Sequence, residues 1–346
     1  MNSAERVFTA LQGGTPDRVP ILEWFVHEKV YQSLIPGSTW PDFVEKIDLD
    51  AVTAHFIFEG TFIETRIDDK TVVNEWGVTL GVTEEHMAPI DGPIKTLEDA
   101  LKYIPPNPNA AHRLGGLPEY VRRFKGNKAI IWCQRAEFMW AADLLRLDNL
   151  LVAFLENPPL AHEVLELVNE FAVHLVRRAV RAGAEIVMLG DDYAYKSGPM
   201  MSPRVYKEFL QHRLARVVQA VHEEGAFCVK HSDGNLWPIL EMILETGVDG
   251  INPLEPVAGM DIGEVKRKYG ERVCLIGNID CGELLSRGSP EDVIQTVKDT
   301  IRQAAPGGGY IMSSSNTIHS SVNPENYRAM IEATHQYGTY PITLSD

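Results

Sequence analysis

No apolar run in this chain approaches the ~20 residues needed to cross a bilayer. The opening Met1-Asn-Ser-Ala-Glu-Arg6 has no basic stretch leading into an apolar one, so the expectation is no secretory signal, no membrane partner and a cytoplasmic location. Cysteine is scarce: Cys133, Cys228, Cys274 and Cys281 lie far apart with no Cys-x-x-Cys pair, which predicts free thiols rather than a disulfide frame. Basic residues are outnumbered 32 to 48, for a net charge of −16, with the acids spread along the chain. A phosphate backbone needs a basic face, so nucleic acid is excluded as a partner. No Gly-x-Gly-x-x-Gly follows an early strand, which argues against an open dinucleotide-binding sheet. Neither a serine-hydrolase triad nor a phosphate-cradling loop is signalled, because Gly307-Gly308-Gly309 precedes a strand pattern and reads as a turn. Low-complexity tracts, long Gly/Ser linkers and solenoid repeats are also missing.

What is present is an alternation of short apolar runs with longer amphipathic ones. With 45% hydrophobic residues in 346, the chain has ample material for a core, and residues 1–346 read as one domain. Strands are predicted over 19–25, 51–58, 128–133, 185–190, 226–231, 248–252, 273–277 and 310–313. Several are apolar throughout, as strands covered on both faces are. Helices are predicted over 157–183 and 202–225, and after Ser289-Pro290 and Asn323-Pro324, where a capping residue precedes proline at the first helical position. Eight strands alternating with helices predict a (β/α)8 TIM barrel. The stretch 71–108 breaks the alternation; its Glu75-Trp76-Gly77 turn and proline-rich tail predict a hairpin and loop inserted into the barrel.

In such a barrel the reactive groups lie just past the carboxyl ends of the strands. Collected on that rule, the strand ends supply Glu23, Trp24 and His27; His55 and Glu59; Arg135 and Glu137; Asp191, Asp192 and Tyr193; His231 and Asp233; Asn252 and Glu255; Asn278 and Asp280; Asn316 and His319. The segment Ala226-Phe-Cys-Val-Lys-His231-Ser-Asp233-Gly234 is the most informative, since an apolar strand runs into a polar cluster and stops at glycine. Residues 231 and 233 are two apart and can point the same way, while Cys228 points the other way. A satisfied structural His–Asp pair accounts for the same residues. For one of Asp191 and Asp192 the preferred reading is structural, an N-cap or a carboxylate bonded to backbone amides, and Arg135 either holds an acidic substrate or neutralises Asp191. Two mechanisms fit the pocket. A metal on His231 and its neighbours acts as a Lewis acid, or carboxylates and histidines act as general acid and base without metal. No thiol stands at 233, so a zinc site rests on histidine and oxygen ligands.

The motifs as a set resemble the uroporphyrinogen decarboxylase superfamily over essentially the full length. They are Arg6-Val-Phe-Thr-Ala-Leu-Gln-Gly-Gly with Pro16-Asp-Arg-Val-Pro20, Glu75-Trp-Gly77, Gly190-Asp-Asp192 followed by Met201-Ser-Pro203, His231-Ser-Asp-Gly234, Gly250-Ile-Asn-Pro-Leu-Glu-Pro256, Gly277-Asn278 and Asn323-Pro-Glu-Asn326. The resemblance implies a (β/α)8 barrel with its cleft at the carboxyl ends of the strands, and a dimer. One branch of the superfamily decarboxylates uroporphyrinogen without a cofactor. Its arginine-bearing stretch is replaced here by Trp24-Phe25-Val26-His27, its strand-two aspartate position reads Ala54-His55-Phe56, and its histidine falls on Asn316. The other branch comprises zinc methyltransferases that move methyl groups to and from corrinoid proteins with a His-x-Cys and a distant Cys. Its histidine matches His231, while Asp233 and Asn316 stand at the two sulfur positions.

The resemblance therefore points to the corrinoid-linked methyltransferase and demethylase side with an altered site. The expected reaction is methyl transfer from a small methoxylated or methylated compound to a corrinoid protein. His231 and Asp233 are expected as catalytic residues and metal ligands, with Asp192 and His55 completing the catalytic set. Glu23, Trp24, Arg135, Asp191, Asn316 and His319 are expected to bind substrate, and Trp24 and Trp132 to form apolar walls; Trp140, on a predicted helix, reads as core in preference to wall. Two alternatives stand beside it: a cofactor-free decarboxylase of a porphyrinogen or other acid, and a catalytically silent binding paralogue.

Overall fold

A strand covered on both faces tolerates apolar side chains on both, and seven such strands form one parallel sheet in the computed structural model, which describes residues 1–55, 63–82 and 87–343. In chain order they are β1 (Ala51–His55), β2 (Ala129–Gln134), β3 (Ile186–Gly190), β4 (Phe227–His231), β5 (Gly250–Asn252), β6 (Cys274–Ile279) and β7 (Tyr310–Ser314), each paired with the next. Helices separate them and pack outside, as the sequence pattern requires.

The eighth predicted strand, 19–25, is not a regular strand. Pro20 has no amide hydrogen, so this stretch cannot sustain a ladder. It still occupies the eighth position. Single bridges join Ile21 to Met312 and Val26 to Ile318, and on the other side Asp50 N donates to Ile21 O at 2.8 Å. The sheet is thereby closed between β7 and β1.

Inside the curl, alternate residues such as Ile131, Cys133, Met188, Val229, Ile276 and Ile311 form one buried cluster. The helix Ser3–Leu11 plugs its lower end: Val7, Ala10 and Leu11 belong to that cluster, and a capping box between Asn2 and Glu5 starts the helix. Cys228 lies in the outer layer, on the opposite side from His231 as alternation predicts. All four cysteines are buried and free.

The predicted helices form at the predicted caps. Asn157 caps Pro158–Arg181, Ser289 caps Pro290–Ala304 and Asn323 caps Pro324–Tyr337. The 202–225 helix is interrupted by a π turn at Lys207–Gln211. The inserted segment is larger than the expected hairpin and begins earlier. Glu64–Asp68, Thr71–Asn74, Thr79–Val82 and Met87–Asp91 make a four-stranded antiparallel sheet. Its central turn is held by Asn74, whose side chain accepts from Trp76 N and Val78 N. Trp76 is buried by stacking on Trp140 at 5.5 Å, which places Trp140 in the core, as its helical position predicts. No helix among the described residues is long and apolar enough to cross a membrane.

Candidate active site at the carboxyl ends of the strands

Three strand ends meet at His231. In the sheet register it lies beside Gly190 of β3 and Asn252 of β5. Its Nε2 stands 3.6 Å from Asp233 Oδ1 and 3.9 Å from Asp192 Oδ1. One donor atom from each of the three residues falls within 4.8 Å of the others. The backbone holds this geometry, because Asp233 N donates to Asp192 Oδ1 at 3.0 Å and Gly234 N donates to Glu255 Oε2 at 2.9 Å. Gly234 has φ +87°, and an added Cβ would meet Ala194 O at 2.5 Å, so only glycine fits the turn.

The tautomer of His231 follows from its neighbours. Asn252 Nδ2 donates to the carbonyl of Ile276 at 3.3 Å, which turns its amide oxygen toward His231 Nδ1 at 2.5 Å. Nδ1 is therefore the protonated nitrogen, and in the neutral ring Nε2 presents a lone pair to the two carboxylates. Burial holds the His231 imidazole below its ordinary value, against the pull of Asp192 and Asn252. Burial, then the charges of Asp192 and Glu255, push the Asp233 carboxyl well above the carboxylate range. Asp233 Oδ2 accepts from Asn316 Nδ2, while its buried Oδ1 has no hydrogen-bond partner. A lone pair facing an unsatisfied carboxyl oxygen calls for one positive charge between them, a proton or a metal ion. Two carboxylates and an imidazole with its far nitrogen anchored fit a metal of borderline or hard character, with Asn252 as the outer partner.

Aromatic rings build the wall beside this cluster. Trp24 lies flat on His231, with centroids 4.4 Å apart and planes at 23°, and meets His55 edge-on at 5.5 Å. The indole fits because residue 190 is glycine: an added Cβ would stand 2.3 Å from Trp24 Cη2. Burial pushes the His55 imidazole down to about 4. Beyond it opens a cavity of about 410 Å³ lined by Phe25, Tyr31, Trp40, His55 and Tyr120, with His27 and Glu28 at the start of the helix Glu28–Leu34.

The remaining sequence-derived candidates divide. Glu23 is buried behind the end of β7, where its carboxylate accepts from Ser314 N and Oγ and from Ser313 Oγ; burial pushes it up to about 8, so it is protonated at neutral pH. Asp191 is fully buried with its oxygens accepting from the amides of Glu137, Phe138 and Met139, so it caps the helix Phe138–Leu145 instead of facing a substrate. Arg135 is paired with Asp143 and lines a cleft with Pro89 and Met139, and its charge also acts on buried Asp191, the second of its two predicted roles. His319 turns Nδ1 back to Ser321 N at 3.3 Å, stabilising its own turn. Trp132 is fully buried in the outer layer, with Nε1 donating to Gln134 Oε1. Glu59 lies outside the described residues.

Two buried groups stand behind the site: Lys230, which the sequence reading missed, and Glu137, collected among the strand ends but given no role. Lys230, fully buried, donates to the carbonyls of Asp191 and His231 and lies 4.1 Å over the Tyr193 ring. Glu137, also buried, accepts from Tyr193 Oη at 3.0 Å, and burial with the charge of Asp191 pushes it up to about 8. The signal for Lys230 was its place in a strand otherwise apolar on both faces.

A model of the uroporphyrinogen decarboxylase (URO-D) family matches residues 2–337. Among curated relatives, the uroporphyrinogen decarboxylase of Nitrosococcus oceani is 28% identical over 63% of this chain and 59% of its own length. That of Pseudoalteromonas translucida is 25% identical over 78% and 77%. The aligned stretch thus spans less than two thirds of the first relative's length. Among solved structures, a methyltransferase from Methanosarcina mazei superposes with a TM-score of 0.78 at 19% identity, over 97% of this chain and 99% of that one, which shows a shared fold. With the family pattern running through the barrel from end to end, the chain belongs to the uroporphyrinogen decarboxylase family.

Proposed function

We propose that the protein is a methyltransferase that removes the methyl group of a small methoxylated compound and passes it to a corrinoid carried by a partner protein. One observation carries this reading: His231 Nε2, Asp233 Oδ1 and Asp192 Oδ1 converge on a point that requires a positive charge. Demethylating an ether needs such a charge, because the departing oxygen keeps the electron pair of the broken C–O bond. The fold shared with the Methanosarcina mazei methyltransferase supports the same branch of the family.

The chain's own residues divide the work. Asn252 fixes the His231 tautomer, and Asn316 orients the Asp233 carboxyl. With its proton held on Asp233, the site delivers it to the leaving oxygen as the methyl departs. Trp24 closes one side and keeps water from the reacting atoms. Zinc or a comparable ion on His231, Asp192 and Asp233 would supply Lewis acidity at the same oxygen.

The test is incubation with a panel of methoxylated compounds and reduced cobalamin, following methylcobalamin formation by absorbance. Elemental analysis is run in parallel. Methylcobalamin that appears with the wild type and is lost in His231→Ala supports the reading. Release of CO2 from uroporphyrinogen or another acid, with no methylcobalamin from any donor, would replace it with the decarboxylase alternative.

A further inference from the structure

We propose that Lys230 is a positioning residue for the cluster of His231, Asp233 and Asp192: its buried ammonium pins the ends of β3 and β4 at the spacing that brings the three donor atoms together. The geometry of this clamp stands on its own, and only its consequence for turnover rests on the methyl-transfer reading.

Lysine is out of place at this position. β4 is otherwise apolar up to His231, and alternation turns residue 230 outward into the layer of Leu189 and Cys228, where it is fully buried. Taking an ammonium out of water is costly, and an apolar side chain of that length would fill the same space without the cost. Its Nζ meets carbonyl oxygens instead of a carboxylate: Asp191 O at 2.6 Å, Leu189 O at 3.4 Å and His231 O. Three acceptors match the three hydrogens of an ammonium. The Tyr193 ring lies against it as well, its centroid 4.1 Å from Nζ.

The clamp sits where the two strands part. Register pairs Lys230 with Leu189 and His231 with Gly190, and the backbone bond that ends the ladder is long, Asp191 N to His231 O at 3.3 Å. Past it the chain after β4 turns to its other neighbour, since Ser232 N donates to Asn252 O at 2.9 Å. Both carboxylates stand beyond this divergence, Asp192 one residue after Asp191 and Asp233 two after His231. Lys230 holds the carbonyl on one side of Asp192 and the ring of Tyr193 on the other. Tyr193 is fixed in turn, with N donating to Ser232 Oγ at 3.0 Å and Oη to Glu137 Oε1 at 3.0 Å. Both routes from the barrel to the cluster, through residue 191 and through residue 231, pass a group that Lys230 holds.

Lys230→Met keeps the length of the side chain and removes its donors. Amide hydrogen exchange, followed by NMR on the full chain with no metal added, is the first readout. The amides of Asp191, Tyr193 and Asp233 are expected to exchange at least about tenfold faster than in the wild type, while those of Val187, Met188 and Val229 in the body of the same strands keep their rates. Turnover is the second readout. The kcat for methyl transfer is expected to fall by about 10–100-fold with KM within about twofold, because the reacting groups are misplaced while donor binding is kept. Exchange unchanged at all of these amides, or faster equally at all of them, overturns the proposal, as does an unaltered kcat beside an active wild type. A variant destabilised by the unbalanced charge of Asp191 is rescued for measurement in an Asp191→Asn background, compared with Asp191→Asn alone. Failure to fold in both backgrounds would make Lys230 a determinant of the fold, and the proposal falls. Local exchange as expected, with no methyl transfer by the wild type, would sink the functional reading and leave the clamp standing.

Discussion

His231 and Asn252 face each other across neighbouring strand ends, Nδ1 2.5 Å from Oδ1, and that contact decides which ring nitrogen addresses the carboxylates. Replacing Asn252 with alanine removes the acceptor and frees the ring to change tautomer. The expected loss is ~10–100-fold in metal affinity, if a metal is held, and a shifted pH–rate profile. A folding cost of about 1–3 kcal/mol accompanies it, from the unsatisfied buried N–H. Chelator competition and a pH series check it. Unchanged affinity and an unchanged profile would mean the contact is structural only.

The barrel was legible because its strands are apolar on both faces and its helices start at capping residues followed by proline, as at Ser289-Pro290 and Asn323-Pro324. The stretch 19–25 misled because its apolar composition matches a strand while Pro20 forbids the ladder. The convergence of the candidate cluster was equally legible: His231 and Asp233 lie two apart, and Asp192 reaches them because β3 and β4 are adjacent. Asp191 and Asp192 are neighbours in sequence, and nothing in the sequence says which one turns to the amides of Glu137 and Phe138. That choice depends on where the helix Phe138–Leu145 begins in space. Arg135 was ambiguous for the same reason, since its partner Asp143 is a tertiary contact.

Glu23 gives a pH signature. Its carboxyl is pushed up to about 8 by burial, whereas in the unfolded chain it titrates near ~4.3. The folded state therefore binds the proton more tightly, and the wild type loses stability as pH rises through that window, by at most about 1.4 kcal/mol per pH unit from this group. Glu23→Gln keeps a neutral side chain of the same shape. The stability of the variant minus that of the wild type is expected to rise with pH and level off above about 8. Taking the difference cancels the contributions of Glu137 and His55. Urea denaturation across pH is the measurement, and a flat difference would contradict buried protonation.

At the far end of the barrel, fully buried Asp50 accepts from Arg6 at 2.9 Å, from Arg18 at 2.9 and 3.1 Å and from Ile21 N at 2.8 Å. It ties the N-terminal helix and the irregular eighth segment to β1. Asp50→Ala removes the acceptor that two guanidinium groups and an amide share; Arg6 keeps Asp17 and Arg18 keeps Asp48, so the expected cost is about 1–3 kcal/mol, from the lost charged hydrogen bonds and the unsatisfied Ile21 N–H. Activity per folded molecule should stay at the wild-type level, because His55 and His231 lie at the opposite ends of their strands. Denaturation with a parallel turnover assay separates the two effects, and a large activity loss in the folded variant would refute the division between a stabilising end and a working end.

Gly190→Ala probes the working end with one methyl group. The new Cβ would stand 2.3 Å from Trp24 Cη2, far inside contact distance, so the indole must leave its place on His231. Overpacking of this kind costs about 1–3 kcal/mol and leaves the strand intact. The expected signature is therefore selective: a fold that survives at reduced melting temperature, an altered tryptophan emission, and turnover reduced well beyond what the loss of stability explains. Trp24→Ala in the Gly190→Ala background should recover most of the melting temperature, since the clash is gone, and recover none of the turnover. If that double variant were as active as the wild type, Trp24 would be filler beside His231 and not part of the site.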